Sequence, residues 1–343
     1  MLLPCLMIAI ITSAAGTPMP PNSSLLGRSA YKPIMNGLNF PDPSIIRTLE
    51  GWHIFSTNSI VNGKRINIQA AHSPDFKTWT YRSGYDALPQ LPSWVDPISP
   101  YVWAPDVNRR PDGTFILYYA ALNKNINHHC LDYATSKSVD GPFTFTNSEP
   151  WICHASKGGA IDPSGYVDHL TNKRYVVYKV DGNAIGHGGD CGNTVAPIVP
   201  TPIMLQQVAD DGHTTIGRPV QILDRDDGDG PYVEAPSLSW LDGNYILFFS
   251  SQCFVSPKYV SVNKSAKPTS RDVTYAIAKD IVGPYKKHEP LFDTGSYGMV
   301  APGGGDIAIN GNHLIWHANW GGGRAAFTAI VGLHGHKVKV KEH

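Results

Sequence analysis

The sequence predicts an all-β fold, a five-bladed β-propeller, from a phrase that occurs five times and from a composition suited to turns. The phrase is an acid or small residue beside Pro, then an apolar stretch, a turn and an aromatic-rich strand. It reads Phe40-Pro41-Asp42-Pro43-Ser44 through Gly51-Trp52-His53-Ile54-Phe55, then Trp103-Ala104-Pro105-Asp106 through Phe115-Ile116-Leu117-Tyr118-Tyr119. It returns as Ile161-Asp162-Pro163-Ser164 through Tyr175-Val176-Val177-Tyr178, as Glu234-Ala235-Pro236-Ser237 through Tyr245-Ile246-Leu247-Phe248-Phe249, and as Pro302 through His313-Leu314-Ile315-Trp316. The turns at Gly51, Gly113, Lys173, Gly243 and Gly311 are spaced by roughly 60 to 70 residues, a period that fits radially repeated sheets. With 33 Gly, 28 Pro and 16% charged residues among 343, the chain suits short strands and many turns better than solvated helices.

Along the chain, Leu2 to Ile11 are mostly apolar and Thr12-Ser13-Ala14-Ala15-Gly16 are small. That is the shape of a secretory h-region and cleavage site, too short to span a bilayer. Residues 1–16 are therefore read as a signal peptide, 17–35 as an extended Pro- and Ser-rich arm, and 36–343 as the propeller. No later segment reads as a membrane anchor. A second phrase follows the strand in four repeats: Ala70-Ala71-His72-Ser73, Tyr133-Ala134-Thr135-Ser136, Met204-Leu205-Gln206-Gln207-Val208 and Tyr275-Ala276-Ile277-Ala278. Two of these run on to Gly141-Pro142 and Gly283-Pro284, as expected of the outer part of a blade, where no ladder N–H is required of Pro. No stretch combines helical periodicity with caps at both ends.

Lys plus Arg equals Asp plus Glu at 28 each, and no dense basic run precedes the tail His336-Lys337-Val338-Lys339-Val340-Lys341. Nucleic acid is thereby disfavoured as a partner, and the chain is expected to be monomeric. Cleavage near Ala15 removes Cys5 and leaves Cys130, Cys153, Cys191 and Cys253. Four cysteines in a secreted chain allow three pairings; proximity in sequence makes Cys130 with Cys153 the first choice. Asn22-Ser23-Ser24 and Asn263-Lys264-Ser265 fit glycan acceptors, in keeping with export.

In a propeller the first strand of each blade lines the central channel. Asp42, Asp162 and Glu234, at corresponding points of three repeats, are thus expected to converge on one funnel. Cleaving a glycosidic bond without a cofactor needs one carboxyl to protonate the leaving oxygen and another to activate water or attack the anomeric carbon. A third carboxylate beside the proton donor keeps that donor protonated by like-charge repulsion. Taken singly, each Asp-Pro is an ordinary turn in which Asp caps backbone N–H groups; the matched positions favour catalysis.

Phe40-Pro41-Asp42-Pro43-Ser44, Trp103-Ala104-Pro105-Asp106-Val107, Ala160-Ile161-Asp162-Pro163-Ser164, Val233-Glu234-Ala235-Pro236-Ser237 and the Ala134-to-Phe143 phrase together resemble glycoside hydrolase family 43, inverting glycosidases built as five-bladed propellers. The resemblance implies that Asp42 is the general base, Glu234 the general acid and Asp162 the residue that tunes and orients that acid. The related sucrose-cleaving propellers show an Arg-Asp-Pro phrase, which is missing here. The family likeness also makes Arg324 a candidate for reaching sugar hydroxyls and His317 a candidate for binding a cation or its waters near the axis. No cofactor is required for the chemistry. A Ca²⁺ at His317 would be structural, since hard cations prefer oxygen ligands, and a hydrogen-bonded core histidine is the alternative.

Aromatic rings hold the apolar faces of sugars. Trp103 is the first candidate, followed by Trp94, Tyr101 and Trp320, although most propeller aromatics pack between blades. The loop Gly186-His187-Gly188-Gly189-Asp190-Cys191-Gly192-Asn193 lacks the Lys-Ser or Lys-Thr pair of a phosphate loop and is a poor zinc site. It is expected to wall the pocket, with His187 and Asp190 as candidate substrate contacts. The three acids and the leader point to a secreted glycosidase, and the resemblance alone implies its substrate: a plant-type polysaccharide, with α-L-arabinofuranose released from arabinan or arabinoxylan. β-Xylosidase, endo-arabinanase and galactofuranosidase remain open on the same scaffold. Of another class are a non-catalytic sugar-binding propeller and a protein scaffold, neither of which needs a proton donor.

Overall fold

The computed structural model describes residues 31–254 and 271–341. The expected signal peptide, most of the expected arm and both glycan-acceptor asparagines lie outside these residues. Within them, five antiparallel sheets form the blades. Blade 1 holds β1 (Ser44–Thr48) and β2 (Gly51–Ser56), then an inserted hairpin, β3 (Ser59–Val61) and β4 (Lys64–Ile66), then β5 (Gln69–Ser73) and β6 (Thr80–Tyr81). Blade 2 holds β7 (Trp103–Arg109), β8 (Phe115–Asn123) and β9 (His128–Ser136); blade 3 holds β10 (Ala160–Val167), β11 (Arg174–Val180), β12 (Ile203–Val208) and β13 (Thr215–Leu223). Blade 4 holds β14 (Val233–Leu241), β15 (Asn244–Ser251), β16 (Thr274–Ala278) and β17 (Lys286–Lys287); blade 5 holds β18 (Gly303–Ile307), β19 (His313–Trp320), β20 (Gly323–His334) and β21 (Lys337–Val340). The fold is a five-bladed β-propeller, and each second phrase of the sequence is an outer strand, β5, β9, β12 or β16.

The innermost strands touch in the order β1, β7, β10, β14, β18, and β18 returns to β1. The start of the chain reinforces this closure. Ile34 N–H donates to Ala326 O at 2.9 Å and Phe40 N–H to Arg324 O at 2.7 Å, so the described end of the arm lies along β20 of the last blade. Tyr31 packs edge-on against Phe292, Tyr297 and Trp316. A ring held at both chain ends keeps its axis fixed, which the site below requires.

The second strands are buried on both faces, which is why they read as continuous apolar runs. Ile54, Ile116, Leu117, Val177, Ile246, Leu247, Leu314 and Ile315 are fully buried. Burying a side chain of this kind is worth about 1.5–3 kcal/mol. Neighbouring blades share these cores: Trp52 and Ile54 of blade 1 pack with Ile315 and Ala326 of blade 5. Cys130 is bonded to Cys153, as first expected, and Cys191 to Cys253. The second bond ties the long loop of blade 3 to the segment after β15.

Candidate active site

Four of the five innermost strands begin with the same irregularity. The ladder slips between Trp103 and Asp106, between Ile161 and Ser164, between Glu234 and Ser237, and between Gly303 and Asp306. In each slip one residue takes the left-handed conformation: Ala104 at φ 41°, Asp162 at 56°, Ala235 at 51° and Gly304 at 57°, with Asp42 at 48° in the same place in blade 1. A β-bulge of this kind re-aims the side chain that it carries, and such backbone strain is concentrated at functional sites. With this left-handed backbone, Asp42 and Asp162 both line a small cavity of about 40 Å³, room for a water. The three acids, expected at one repeat position, do not all share it. Asp42 and Asp162 match, whereas Glu234 stands one residue earlier and Ala235 occupies the matching position.

Two further carboxylates, Asp106 and Asp306, sit two residues beyond the bulge in the same cavity lining and act as ties between blades. Asp106 accepts from Gly165 N–H at 2.6 Å, and Asp306 accepts from Ile45 N–H at 2.7 Å and from Ser237 Oγ at 2.6 Å. Desolvation raises both pKa values, to about 6 for Asp106 and well above the carboxylate range for Asp306, which also feels Asp106. These two are structural acids below the catalytic layer.

Asp42 is held from three sides. Thr57 Oγ1 donates to Oδ2 at 2.8 Å, Arg324 Nη1 donates to Oδ1 at 2.9 Å, and the Asp42 N–H donates to His317 Nδ1 at 3.0 Å. Burial pushes its pKa up, but Arg324, His317, Arg271 and the Thr57 hydroxyl outweigh burial and hold it well below the usual carboxylate range. His317 is itself kept neutral, its pKa driven well down by burial and then by Arg324 and Arg271, so we assign most of this effect to the guanidinium of Arg324. Asp42 is thus a charged acceptor at any working pH.

Gly304 makes this arrangement possible. A Cβ there would lie 2.7 Å from His317 Cε1 and 2.8 Å from Nδ1. The positive φ alone is borne by Ala in two other blades, so the overlap decides the outcome. Gly304→Ala is expected to cost about 1–3 kcal/mol of stability and to lower kcat roughly tenfold with little change in KM, as Asp42 loses its backbone anchor. Thermal melting and steady-state kinetics check this; an unchanged kcat would show that His317 does not position Asp42.

Across the funnel, Asp162 Oδ2 accepts from Ala235 N–H at 2.9 Å, which ties blade 3 to blade 4 beside Glu234. Burial first, then the charge of Glu234, raises the Asp162 pKa to about 7 against the opposing pull of Lys179. Glu234 is buried and meets two cations: Arg271 Nη2 lies 2.8 Å from Oε1 and Lys179 Nζ 3.4 Å from Oε2. One wall of the funnel therefore holds a charged carboxylate, and the other holds Asp162, whose affinity for a proton is raised, beside the cation-paired Glu234. That is the polarity that general acid–base chemistry needs.

Residues 30–320 match the family described as Glycosyl hydrolases family 43. The chain belongs to that family. Among characterised relatives, it is 25% identical over 149 residues to the "Extracellular endo-alpha-(1->5)-L-arabinanase 2" of Bacillus subtilis (strain 168), a match covering 40% of this chain and 29% of that protein. A thermostable family-43 glycoside hydrolase superposes with a TM-score of 0.72 at 21% identity, covering 92% of this chain and 96% of that one. An endo-arabinase from Bacteroides thetaiotaomicron VPI-5482 superposes at 0.64 with 18% identity, covering 90% and 100%. A xylan beta-1,4-xylosidase from Bacillus halodurans C-125 does so at 0.63 with 20% identity, covering 91% and 56%. At these identities the superpositions show a shared fold.

The remaining candidates of this family 43 chain fall into groups. Arg324 and His317 join the carboxylates, as described. Direct ligation of a cation by His317 does not fit its donor set, whereas contact through a cation's water, the other mode expected, does. Because Nδ1 accepts the Asp42 N–H, the neutral ring carries its proton on Nε2, and Nε2 has no hydrogen-bond partner among the described residues. It needs an acceptor, which a water oxygen supplies and a metal ion does not. No group of three or more His, Cys, Asp or Glu among the described residues is placed to hold a metal, and no step below passes through one.

Trp103 lies at the start of β7 with His129 stacked on it at 3.7 Å, and Tyr101 beside it is about half exposed. One Trp103 face is thus already covered. Trp320 is half exposed on the hairpin that carries Arg324, whereas Trp94 is buried and donates Nε1–H to Asp132 at 3.1 Å, a core role. His187 and Asp190 are exposed; His187 Nδ1 pairs with Pro197 O at 2.7 Å, and the Asp190 N–H donates to Thr194 Oγ1 at 2.8 Å. That loop reaches the site instead through Cys191, whose Sγ lies 3.4 Å from the Tyr232 hydroxyl.

Sequence reasoning missed Lys179, Arg271 and Thr57. Lys179 carried a usable signal, a single cation inside the apolar run Tyr175-Val176-Val177-Tyr178-Lys179-Val180. A larger cavity, about 260 Å³, opens in blade 4 around Asp226, Asp229, Asp272 and Lys287. None of the three catalytic candidates lines it, and Lys287 already bonds Asp226 and Asp229 there.

Proposed function

We propose that this family 43 chain is an inverting hydrolase of plant polysaccharide that releases α-L-arabinofuranose from arabinan or arabinoxylan. The observation that carries the proposal is the split in proton affinity across the funnel, with Asp42 held charged by Arg324 and Asp162 raised to about 7 beside Glu234. Asp42 takes a proton from a water whose oxygen bonds to the anomeric carbon. As the bond from that carbon to the leaving oxygen breaks, Glu234 protonates the leaving oxygen. Inversion calls for base and acid carboxyls about 6.5–9.5 Å apart, so that the water fits between sugar and base. Asp162 keeps a proton available to the pair, and the Arg324 fork suits two neighbouring hydroxyls.

The arabinanase name of the Bacillus subtilis relative supports arabinan as the polymer and favours, as a second reading, an internal cut rather than release from chain ends. The extracellular label of that relative and the two disulfides support export. Chromatography of products from arabinan, arabinoxylan, and defined arabino- and xylo-oligosaccharides decides the specificity. Free arabinose from the first time point supports the exo reading, and a ladder of oligosaccharides supports the endo reading. Xylose alone would overturn the substrate, and binding without any product would leave a sugar-binding propeller.

A further inference from the structure

Glu234 is assigned the task of giving up a proton, yet both of its oxygens face a buried cation. Lys179 enters from β11 of blade 3, is fully buried, and crosses to the acid of blade 4. Its Nζ lies 3.0 Å from Asp181 Oδ1, 3.4 Å from Glu234 Oε2 and 4.3 Å from the centre of the Tyr232 ring. A lysine with no water contact is tolerated only when its charge is matched, and the match here is divided between Asp181 and the proton donor. Burial works against its charge, but Asp181, Glu234 and Asp162 together outweigh burial and keep it protonated. Arg271 completes the clamp from the segment before β16 and is fixed by close packing, since a Cβ on Gly303 would lie 2.1 Å from its Nε.

We propose that Lys179 is a positioning residue for the proton donor: its ammonium group holds Glu234 against Arg271 and sets the alkaline limit of catalysis, with Asp181 as counterweight. This rests on the hydrolase reading above. The ionisable groups around Glu234 are Asp162 from β10, Lys179 from β11 with Asp181 beyond it, Tyr232, Arg271, and Asp42 from blade 1. Of these only Lys179 and Arg271 are cationic, so removing Lys179 leaves a site that binds its proton more tightly. Removing the charge of Asp181 does the reverse, because the full charge of Lys179 then bears on the Asp162–Glu234 pair.

The test is the pH profile of kcat/KM for Lys179→Met, Asp181→Asn and Lys179→Arg. An opposite charge at this range moves a titration by about 1–3 pH units. Lys179→Met is therefore expected to move the alkaline limb up by about one unit or more, Asp181→Asn to move it down, and Lys179→Arg to leave it near wild type. A uniform loss of rate with unmoved limbs, or both variants moving the same way, would overturn the proposal and leave Lys179 a core residue. Should Lys179→Met not fold, Asp181→Asn decides alone: a lowered limb supports the proposal and an unmoved one refutes it. Should wild type cleave no glycoside, the hydrolase reading fails on its own. A ¹³C carboxyl NMR titration of the Asp162–Glu234 pair in wild type and Asp181→Asn then reads the same shift without turnover, and its absence refutes the clamp.

Discussion

Asp42→Asn lowers kcat/KM on a glycoside substrate by about 10³- to 10⁴-fold, near the upper end of what a general base contributes. The substitution isolates basicity because the backbone does not object to it. Asp42 sits at φ 48°, a conformation that Asn shares readily with Asp. The amide is nearly isosteric and still offers one oxygen to Thr57 or Arg324, so the fold is kept, with a melting temperature lowered by the lost pairing with Arg324. What disappears is the charge that Arg324 holds in place at 2.9 Å, and with it the acceptor for the proton of the attacking water. Steady-state kinetics alongside a melting curve checks this. A variant that keeps more than about a tenth of the activity would place water activation elsewhere.

Glu234→Gln gives a loss that depends on the leaving group. On arabinan or an alkyl glycoside the departing oxygen is a poor leaving group, and loss of its proton donor costs about 10²- to 10⁴-fold. On a dinitrophenyl glycoside the phenolate departs unaided, and the same variant is expected within about tenfold of wild type. The contrast distinguishes an acid from a residue that merely holds the funnel together, because structural damage lowers both rates alike. It also distinguishes Glu234 from Asp162, which the geometry places beside the acid, with its Oδ2 on the Ala235 N–H. Equal losses on both substrates would remove Glu234 from the role.

The five repeats were legible because a propeller writes each blade with the same apolar run and the same turn, and two of the outer strands, β9 and β16, could be read from the Gly-Pro that follows them. Cys130–Cys153 was legible from proximity. The position of Glu234 was not fully so. Asp162-Pro163-Ser164 and Glu234-Ala235-Pro236-Ser237 share Pro-Ser and the same bulge, so Ala235 is the counterpart of Asp162; matching the acids by charge passes over that one-residue offset. Trp94 and His187 show another limit: whether an aromatic or a histidine lines the funnel depends on which way a loop turns, and neither residue type carries that information. Arg271 comes to Glu234 from a segment 37 residues further along the chain, with no pattern linking the two. How His317 would meet a cation, directly or through water, turns on the direction of a single hydrogen bond from the Asp42 N–H, which no residue type announces.

The account rests on Asp42 and Glu234 acting from opposite sides of one linkage through a water. The most direct measurement is ¹H NMR of the anomeric signal in the first minutes of hydrolysis of an α-L-arabinofuranoside, before mutarotation. With inversion, β-arabinose appears first. Initial release of α-arabinose would mean that a carboxylate attacks the sugar itself, and would contradict it.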